Sequence, residues 1–285
     1  ETRPFFLWTS FPKPHPPFDP LLSYWQMYEG IEVEKPVYGD WSENFGKMGR
    51  GFLEPTVRLN RIFDLSEQQV KQIKKAYYAC ITQIDYNLGL LFAKMRELEL
   101  LENTWIIFTS DHGDMLGAHR LFSKNAAAYK EVANIPLIIK GGASGCVEDA
   151  MASHIDIVPT IMDYFGLPIP KLLEGKSMLP QIYDPSKEIN DVVYTEFTRY
   201  EIDHDGFGGL QIMRAAISKR YKLVIHLLDS DEFYDLEKDK YEMNNLINDE
   251  NYAEARNAMH ERLIEHMNNT RDLYRGYQWR MRPWR

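Results

Sequence analysis

The chain has 285 residues, 44% of them hydrophobic, enough to bury a sizeable core as one large domain or a large and a small one. With 42 acidic against 33 basic residues the formal charge is −9. No Lys/Arg run stands out, which argues against nucleic-acid binding, and an anionic substrate would have to be attracted by local groups rather than by the overall field. Cys80 and Cys146 form neither a disulfide framework nor a zinc pattern and leave the compartment open, cytoplasmic or periplasmic/secreted. No apolar run approaches the roughly 20 residues of a membrane span. The first residue is Glu1 rather than methionine, so further polypeptide is expected before it.

Phe5-Phe6-Leu7-Trp8 fits a short buried strand. Five prolines between Phe11 and Pro20 predict an ordered loop with His15 in its middle. Residues 21–60 read as an irregular excursion with one short helix. Ser66-Glu67-Gln68-Gln69 has a capping-box signature. Apolar residues then recur in steps of three and four from Val70 to Leu98, which predicts a long amphipathic helix. Thr104 to Phe108 and Pro136 to Lys140 are predicted as buried strands, the second closed by Gly141-Gly142. A helix is expected from Asp156 to Tyr164, with Asp156 as N-cap and Gly166 as its stop. These elements predict an α/β fold, a mixed sheet covered by helices on both faces.

The texture changes near residue 186. Val192 to Phe197, Gln211 to Ser218, Tyr221 to Leu227 and Glu232 to Leu236 predict a small antiparallel sheet, with Lys219-Arg220 as a hairpin turn. A helix over Tyr252 to Met267 and an irregular aromatic, basic tail complete it. The expected division is a catalytic α/β portion over 1–185 and a small α+β subdomain over 186–285.

In α/β sheets ligands gather beyond the carboxyl ends of strands, and His15 and Asp111-His112 both follow predicted strands. A carboxylate and an imidazole there can ligate one divalent cation, and Gly113 permits a tight turn beside them. Asp111 could instead cap the next element, with His112 an ordinary surface histidine. Two ligands also do not complete a calcium shell of roughly six to eight oxygens, so others must come from elsewhere. Lys124, in the following loop, could hold an anionic group or stabilise a leaving oxygen; by itself it reads equally as a solvated lysine. A His15 fixed among prolines could donate to a sulfate or phosphate oxygen, or simply pack in its loop. Nothing in their context lifts His119 or His154 above ordinary histidines.

The run Phe108-Thr109-Ser110-Asp111-His112-Gly113-Asp114-Met115-Leu116-Gly117-Ala118-His119 resembles the sulfatase family of the alkaline-phosphatase superfamily. So do the segments from Ser10 to Phe18, from Tyr77 to Tyr86 and from Ser153 to Thr160. Glu174-Gly175-Lys176-Ser177, the stretch from Glu232 to Asp239 and Glu242-Met243-Asn244-Asn245-Leu246 continue the match in order along nearly the whole chain. The resemblance extends to choline sulfatase-like and phosphonate monoester hydrolase-like enzymes. It implies an alkaline-phosphatase-like fold, Asp111 and His112 as metal ligands, and Lys124 and His15 as groups contacting the sulfate. The implied metal is calcium, with manganese or magnesium as alternatives, and the implied substrate is a small-molecule or carbohydrate sulfate ester.

The family's nucleophile is a formylglycine made in a Cys/Ser-x-Pro-x-Arg motif. Neither Cys80, followed by Ile81-Thr82-Gln83, nor Cys146, followed by Val147-Glu148-Asp149, fits it. The resemblance therefore implies a carboxy-terminal part whose nucleophile and remaining metal ligands lie in a preceding segment or chain, and an isolated chain without turnover. A phosphodiesterase or phosphonate hydrolase on the same scaffold, and a non-catalytic anion-binding module, are the alternatives.

Overall fold

The computed structural model describes residues 3–38, 65–124, 127–141, 150–200, 209–227, 229–276 and 283–284. Cys146, Gly142 and most of the expected excursion and tail lie outside them.

The short helix α1 (Leu22–Gln26) lies along α2 (Glu67–Glu97), a helix of 31 residues. Ser66 and Gln69 cap α2 reciprocally: Ser66 Oγ accepts from the Gln69 N–H at 3.3 Å, and Gln69 Oε1 accepts from the Ser66 N–H at 2.8 Å. Val70 and Cys80 of the apolar stripe are buried, while Ile84, Leu88, Leu91 and Met95 are only partly covered. The Tyr28 and Thr82 hydroxyls, 2.7 Å apart, and the edge-on Tyr24 and Tyr86 rings tie the segment around α1 to α2.

Strands β1 (Ile106–Thr109) and β2 (Leu137–Lys140) pair antiparallel, Ile106 opposite Lys140 and Thr109 opposite Leu137. Between them lies the four-residue helix α3 (Lys130–Ala133). Two expectations fail in this region. Residues 5–8 form no strand among the described residues and are exposed, Trp8 to 76%. Neither of the paired strands is buried: their residues are half-buried or exposed, and the cross-strand neighbours Phe108 and Ile138 are 38% and 61% exposed. An apolar strand is buried on both faces only when a layer packs on each, and the described residues do not supply both. The wider mixed sheet is not seen among them.

Helix α4 (Ile157–Tyr164) stops at Gly166, which takes φ 63° and donates its N–H to Asp163 O at 3.0 Å. Asp156 is not its side-chain cap. A 3-10 turn over His154–Asp156 moves the start of the helical path back to Ser153, so the buried Asp156 carboxylate acts from the third position. It accepts from Ser153 N (2.9 Å), Lys176 N (2.8 Å) and Asn190 Nδ2 (2.8 Å). Thus the Ser153–Asp156 and Glu174–Ser177 motifs dock on each other.

After α5 (Leu179–Tyr183) come β3 (Val192–Tyr200), β4 (Gly209–Ser218), β5 (Tyr221–His226) and β6 (Glu232–Asp235), an antiparallel sheet in that order. Lys219-Arg220 makes the predicted turn. Helix α6 (Ala253–Asn269) covers the sheet, packing Met259, Leu263 and Met267 against Ile212, Leu223 and Phe233. Each such side chain taken fully out of water contributes about 1.5–3 kcal/mol. The side chain of Asn245 extends the β6 edge by accepting from Phe233 N (3.0 Å) and donating to Asp231 O (2.9 Å). Trp284 of the tail packs near Arg256 and His260. Tyr234 of β6 also enters a second core with Met115, Leu121 and Tyr129, joining the sheet to the loop after β1.

Candidate functional site

At the carboxyl end of β1 the backbone turns through Asp111, His112 and Gly113. Gly113 donates its N–H to Val132 O at 2.9 Å, and a Cβ there would lie 1.9 Å from Glu131 O. No side chain fits so close to α3, which is why this position is glycine. The His112 ring is oriented by Nδ1, 2.8 Å from Gly113 O. A carbonyl only accepts, so Nδ1 carries a proton, and it is Nε2 that presents a lone pair in the neutral form of the ring.

That lone pair lies 3.6 Å from Asp111 Oδ2, while Asp111 Oδ1 accepts the His112 N–H at 2.9 Å. The Asp111 carboxylate is 85% exposed. Burial at the strand end pushes its pKa up, but the His112 N–H, the positive charge that His112 carries when protonated and Ser110 outweigh this and hold it below the ordinary value. A carboxylate oxygen and an imidazole lone pair at this separation, with the far ring nitrogen tied to a backbone carbonyl, suit two neighbouring ligands of a divalent cation. The described residues contain no group of three or more potential ligands, so the chain would offer a pair and not a complete shell.

Asp114 organises the next turn of the chain. Its Oδ1 accepts from Leu116 N (2.9 Å) and Ser123 N (3.0 Å), closing residues 114–123 into a clamp. Met115 N–Ser123 O (3.1 Å) and Gly117 N–Leu121 O (2.8 Å) close it further. Buried Met115, Leu121 and His119, the last stacked on Tyr129 with centroids 3.9 Å apart, anchor the clamp in the second core. His119 is therefore a packing residue. Lys124 leaves the clamp half-buried, one residue beyond the Ser123 anchor.

Burial pushes the Asp114 carboxyl up, and the Leu116 and Ser123 N–H groups with the imidazoles of His112 and His15 pull it only partly back. His15 thus shares this neighbourhood. It is exposed, its Nδ1 2.7 Å from Pro16 O, and its loop is seated on α2 by the edge-on contact of Phe18 with Tyr77. Burial pushes the Tyr77 phenol up to about 12, helped by Asp114 and Asp111, so it remains an O–H donor at neutral pH. His15 and His112 thus lie within electrostatic reach of Asp114, and Asp111 and Asp114 within reach of Tyr77, while Lys124 follows Ser123, which Asp114 holds. Among the described residues Lys124 makes no hydrogen bond to His15, Asp111 or His112.

Sequence reasoning gave no role to Asp114 or Tyr77 and left His154 as an ordinary histidine. A second carboxylate three residues after Asp111 was the available signal for the first. His154 Nε2 is 2.7 Å from Ser110 O and so donates to the last carbonyl before Asp111. A cleft of about 1090 Å³ opens beside the turn, and Asp111, His112, His154, Arg214, Asp272 and Tyr274 are among the residues that line it. No helix among the described residues is long and apolar enough to cross a membrane.

Comparison with known proteins bears on the family of the chain. The sulfatase family profile matches residues 1–167, and that of the N-sulphoglucosamine sulphohydrolase C-terminal family matches residues 117–269. The chain is 36% identical to the uncharacterized sulfatase YidJ of Escherichia coli over 99% of its own length and 55% of that protein. It is 30% identical to the choline-sulfatase of Rhizobium meliloti over 86% of its length and 46% of that protein. The solved phosphonate monoester hydrolase from Silicibacter pomeroyi shares the fold, with a TM-score of 0.76 at 24% identity over 90% of this chain and 54% of that one. The chain thus spans about half the length of the curated relatives it matches. With a profile covering more than half of its residues and a relative aligned along nearly all of them, the chain belongs to the sulfatase family of hydrolases, in the alkaline-phosphatase superfamily.

Proposed function

We propose that the chain is the carboxy-terminal part of a sulfuric ester hydrolase, in which Asp111 and His112 hold a divalent metal and Lys124 and His15 hold the sulfate. The observation that carries this reading is the His112 Nε2 lone pair beside Asp111 Oδ2 at the carboxyl end of β1. Calcium is the first candidate, with manganese or magnesium as alternatives. When bound, the cation supplies positive charge that neutralises sulfate oxygens. Lys124 and His15 stabilise charge on the transferring group and on the leaving oxygen, and the protonated Tyr77 offers a further donor. The nucleophile, a formylglycine, belongs to polypeptide preceding residue 1. The exposed residues 5–8 and the open β1–β2 face are then surfaces that this polypeptide covers.

Residues 1–185 form the remainder of the catalytic domain, within a larger mixed sheet, and 186–285 the smaller subdomain, the two joined by the core around Tyr234. The N-sulphoglucosamine sulphohydrolase profile supports a sulfated carbohydrate over a simple alcohol sulfate as the substrate. The likeness to a phosphonate monoester hydrolase supports a second reading, since phosphonate and phosphodiester groups are also tetrahedral anions. The test is turnover of 4-nitrophenyl sulfate, a phosphate diester and a phosphonate ester by the full-length protein, with and without calcium. Expected is cation-dependent sulfate ester cleavage lowered more than about 100-fold by Asp111→Ala or His112→Ala. Preference for the phosphonate selects the second reading, and variants with unchanged cation dependence overturn the metal assignment.

A further inference from the structure

Glu242 follows the small sheet's last strand in the chain, in the Glu242–Leu246 motif, and it is in contact with the segment that leads to the candidate metal pair. Its side chain is 0% exposed, and its backbone takes φ 59°. One carboxylate oxygen accepts the Lys130 N–H at 2.8 Å, at the start of α3. The other pairs with the buried Lys222 ammonium of β5, which also donates to Ala128 O at 2.7 Å. Lys222 and Glu242 therefore grip both sides of Tyr129, fixing residues 128–130 from the sheet.

Those residues lead directly into α3, whose Val132 carbonyl receives the Gly113 N–H and whose Glu131 carbonyl abuts the Gly113 Cα. Gly113 in turn offers its carbonyl to His112 Nδ1. An unbroken series of hydrogen bonds and short covalent links thus runs from Glu242 through α3 and Gly113 to the His112 ring. A buried ion pair adds little net stability compared with apolar residues of similar volume, so stability alone does not account for a charge placed here. Outer groups that orient a metal-binding imidazole do have a measurable effect on the site.

We propose that Glu242, with Lys222 as its counter-charge, is a positioning residue that sets α3 against Gly113 and so fixes the orientation of His112. This rests on the reading of His112 as a metal ligand. The test uses the full-length protein and two double variants. Lys222→Met with Glu242→Leu removes both charges and leaves Lys130 N without its acceptor; Lys222→Met with Glu242→Gln also removes both charges but keeps a carbonyl for Lys130. Both are expected to fold, the Gln variant with thermal unfolding close to that of the parent and the Leu variant somewhat lower because the Lys130 N–H has lost its acceptor.

Amide hydrogen exchange at Lys130 and Gly113 is expected to quicken about ten-fold or more in the Leu variant and to stay near the parent in the Gln variant. The calcium concentration giving half-maximal turnover is expected to rise about ten-fold in the Leu variant and to be rescued in the Gln variant. Unchanged Gly113 exchange in the Leu variant overturns the inference, whatever the calcium response. Faster exchange with an unchanged calcium response upholds the mechanical link to Gly113 and counts instead against His112 as a ligand. If neither variant folds, Glu242→Ala alone, which removes the acceptor of the Lys130 N–H, is measured by the same exchange at Gly113, and no change there overturns the inference.

Discussion

The two halves of the molecule differ in how far each closes on itself. The β3–β6 sheet and α6 share a core in which Leu223, Ile225 and Phe233 are fully shielded from water. The β1–β2 pair has Phe108 and Ile138 in the open, and the Phe5–Trp8 run ahead of it is exposed throughout. The candidate site sits in the open half: Asp111, His112, His15 and Lys124 all belong to it. A closed sheet thus serves as a support, through Tyr234 and Glu242, for a site whose other side is unbuilt among the described residues.

Substitutions in each half put this contrast to the test. The largest effect is expected in the closed core. Leu263→Ala should destabilise the β3–β6 sheet by about 2–5 kcal/mol, read as a shift of the denaturant midpoint. Ile138→Ala should change the stability of the 285-residue chain by less than about 0.5 kcal/mol, yet cost about 2–5 kcal/mol in the full-length protein, where its face is covered. Equal small effects in both proteins would show that the face stays open. Asp114→Ala should cost about 1–3 kcal/mol by leaving the Leu116 and Ser123 N–H groups without their acceptor. In the full-length enzyme the same change should weaken sulfate ester binding by displacing Lys124, seen as a raised KM.

The smallest effect concerns pH and the closed half. Burial holds His266 below its ordinary value of 6.5, although the carboxylates of Glu174, Glu196 and Asp272 pull the other way. For Asp272, burial raises the carboxyl, but Arg214 and the Tyr274 N–H outweigh it, so it titrates below 3.8. In both cases the unfolded chain binds the proton more tightly, so stability rises with pH. The His266 contribution is complete above about pH 6.5 and is lost as pH falls from there through its lower folded value. That of Asp272 disappears only below about pH 4. Urea midpoints of the sheet should therefore be flat above neutrality and decline in two steps on acidification. His266→Gln should remove the upper step and leave the lower one.

What the sequence revealed depended on how local the cause was. The Ser66–Gln69 cap, the three-and-four spacing of α2 and the Lys219-Arg220 turn are set by neighbours within a few residues, and each is found where expected. The run Asp111-His112-Gly113 was legible for the same reason, because a strand end followed by two ligand types and a glycine is a local pattern. The burial of Phe5–Trp8 was misjudged because it depends on a neighbour that the pattern itself does not contain. Asp156 was taken for a cap, since its bonds to Lys176 and Asn190 arise only in the fold. Glu242 offered no sign of its partner Lys130, which lies 112 positions away in the sequence.

If Asp111 and His112 are half of a sulfatase site, preceding polypeptide must complete it. Peptide mapping of the native protein by mass spectrometry, including its true amino terminus, decides the point. Expected are peptides upstream of Glu1, one of them carrying a Cys/Ser-x-Pro-x-Arg site with the mass change of formylglycine. A native chain that begins at Glu1, with no second chain supplying that site, would contradict this and leave Asp111, His112, Lys124 and His15 as an anion-binding surface without catalysis.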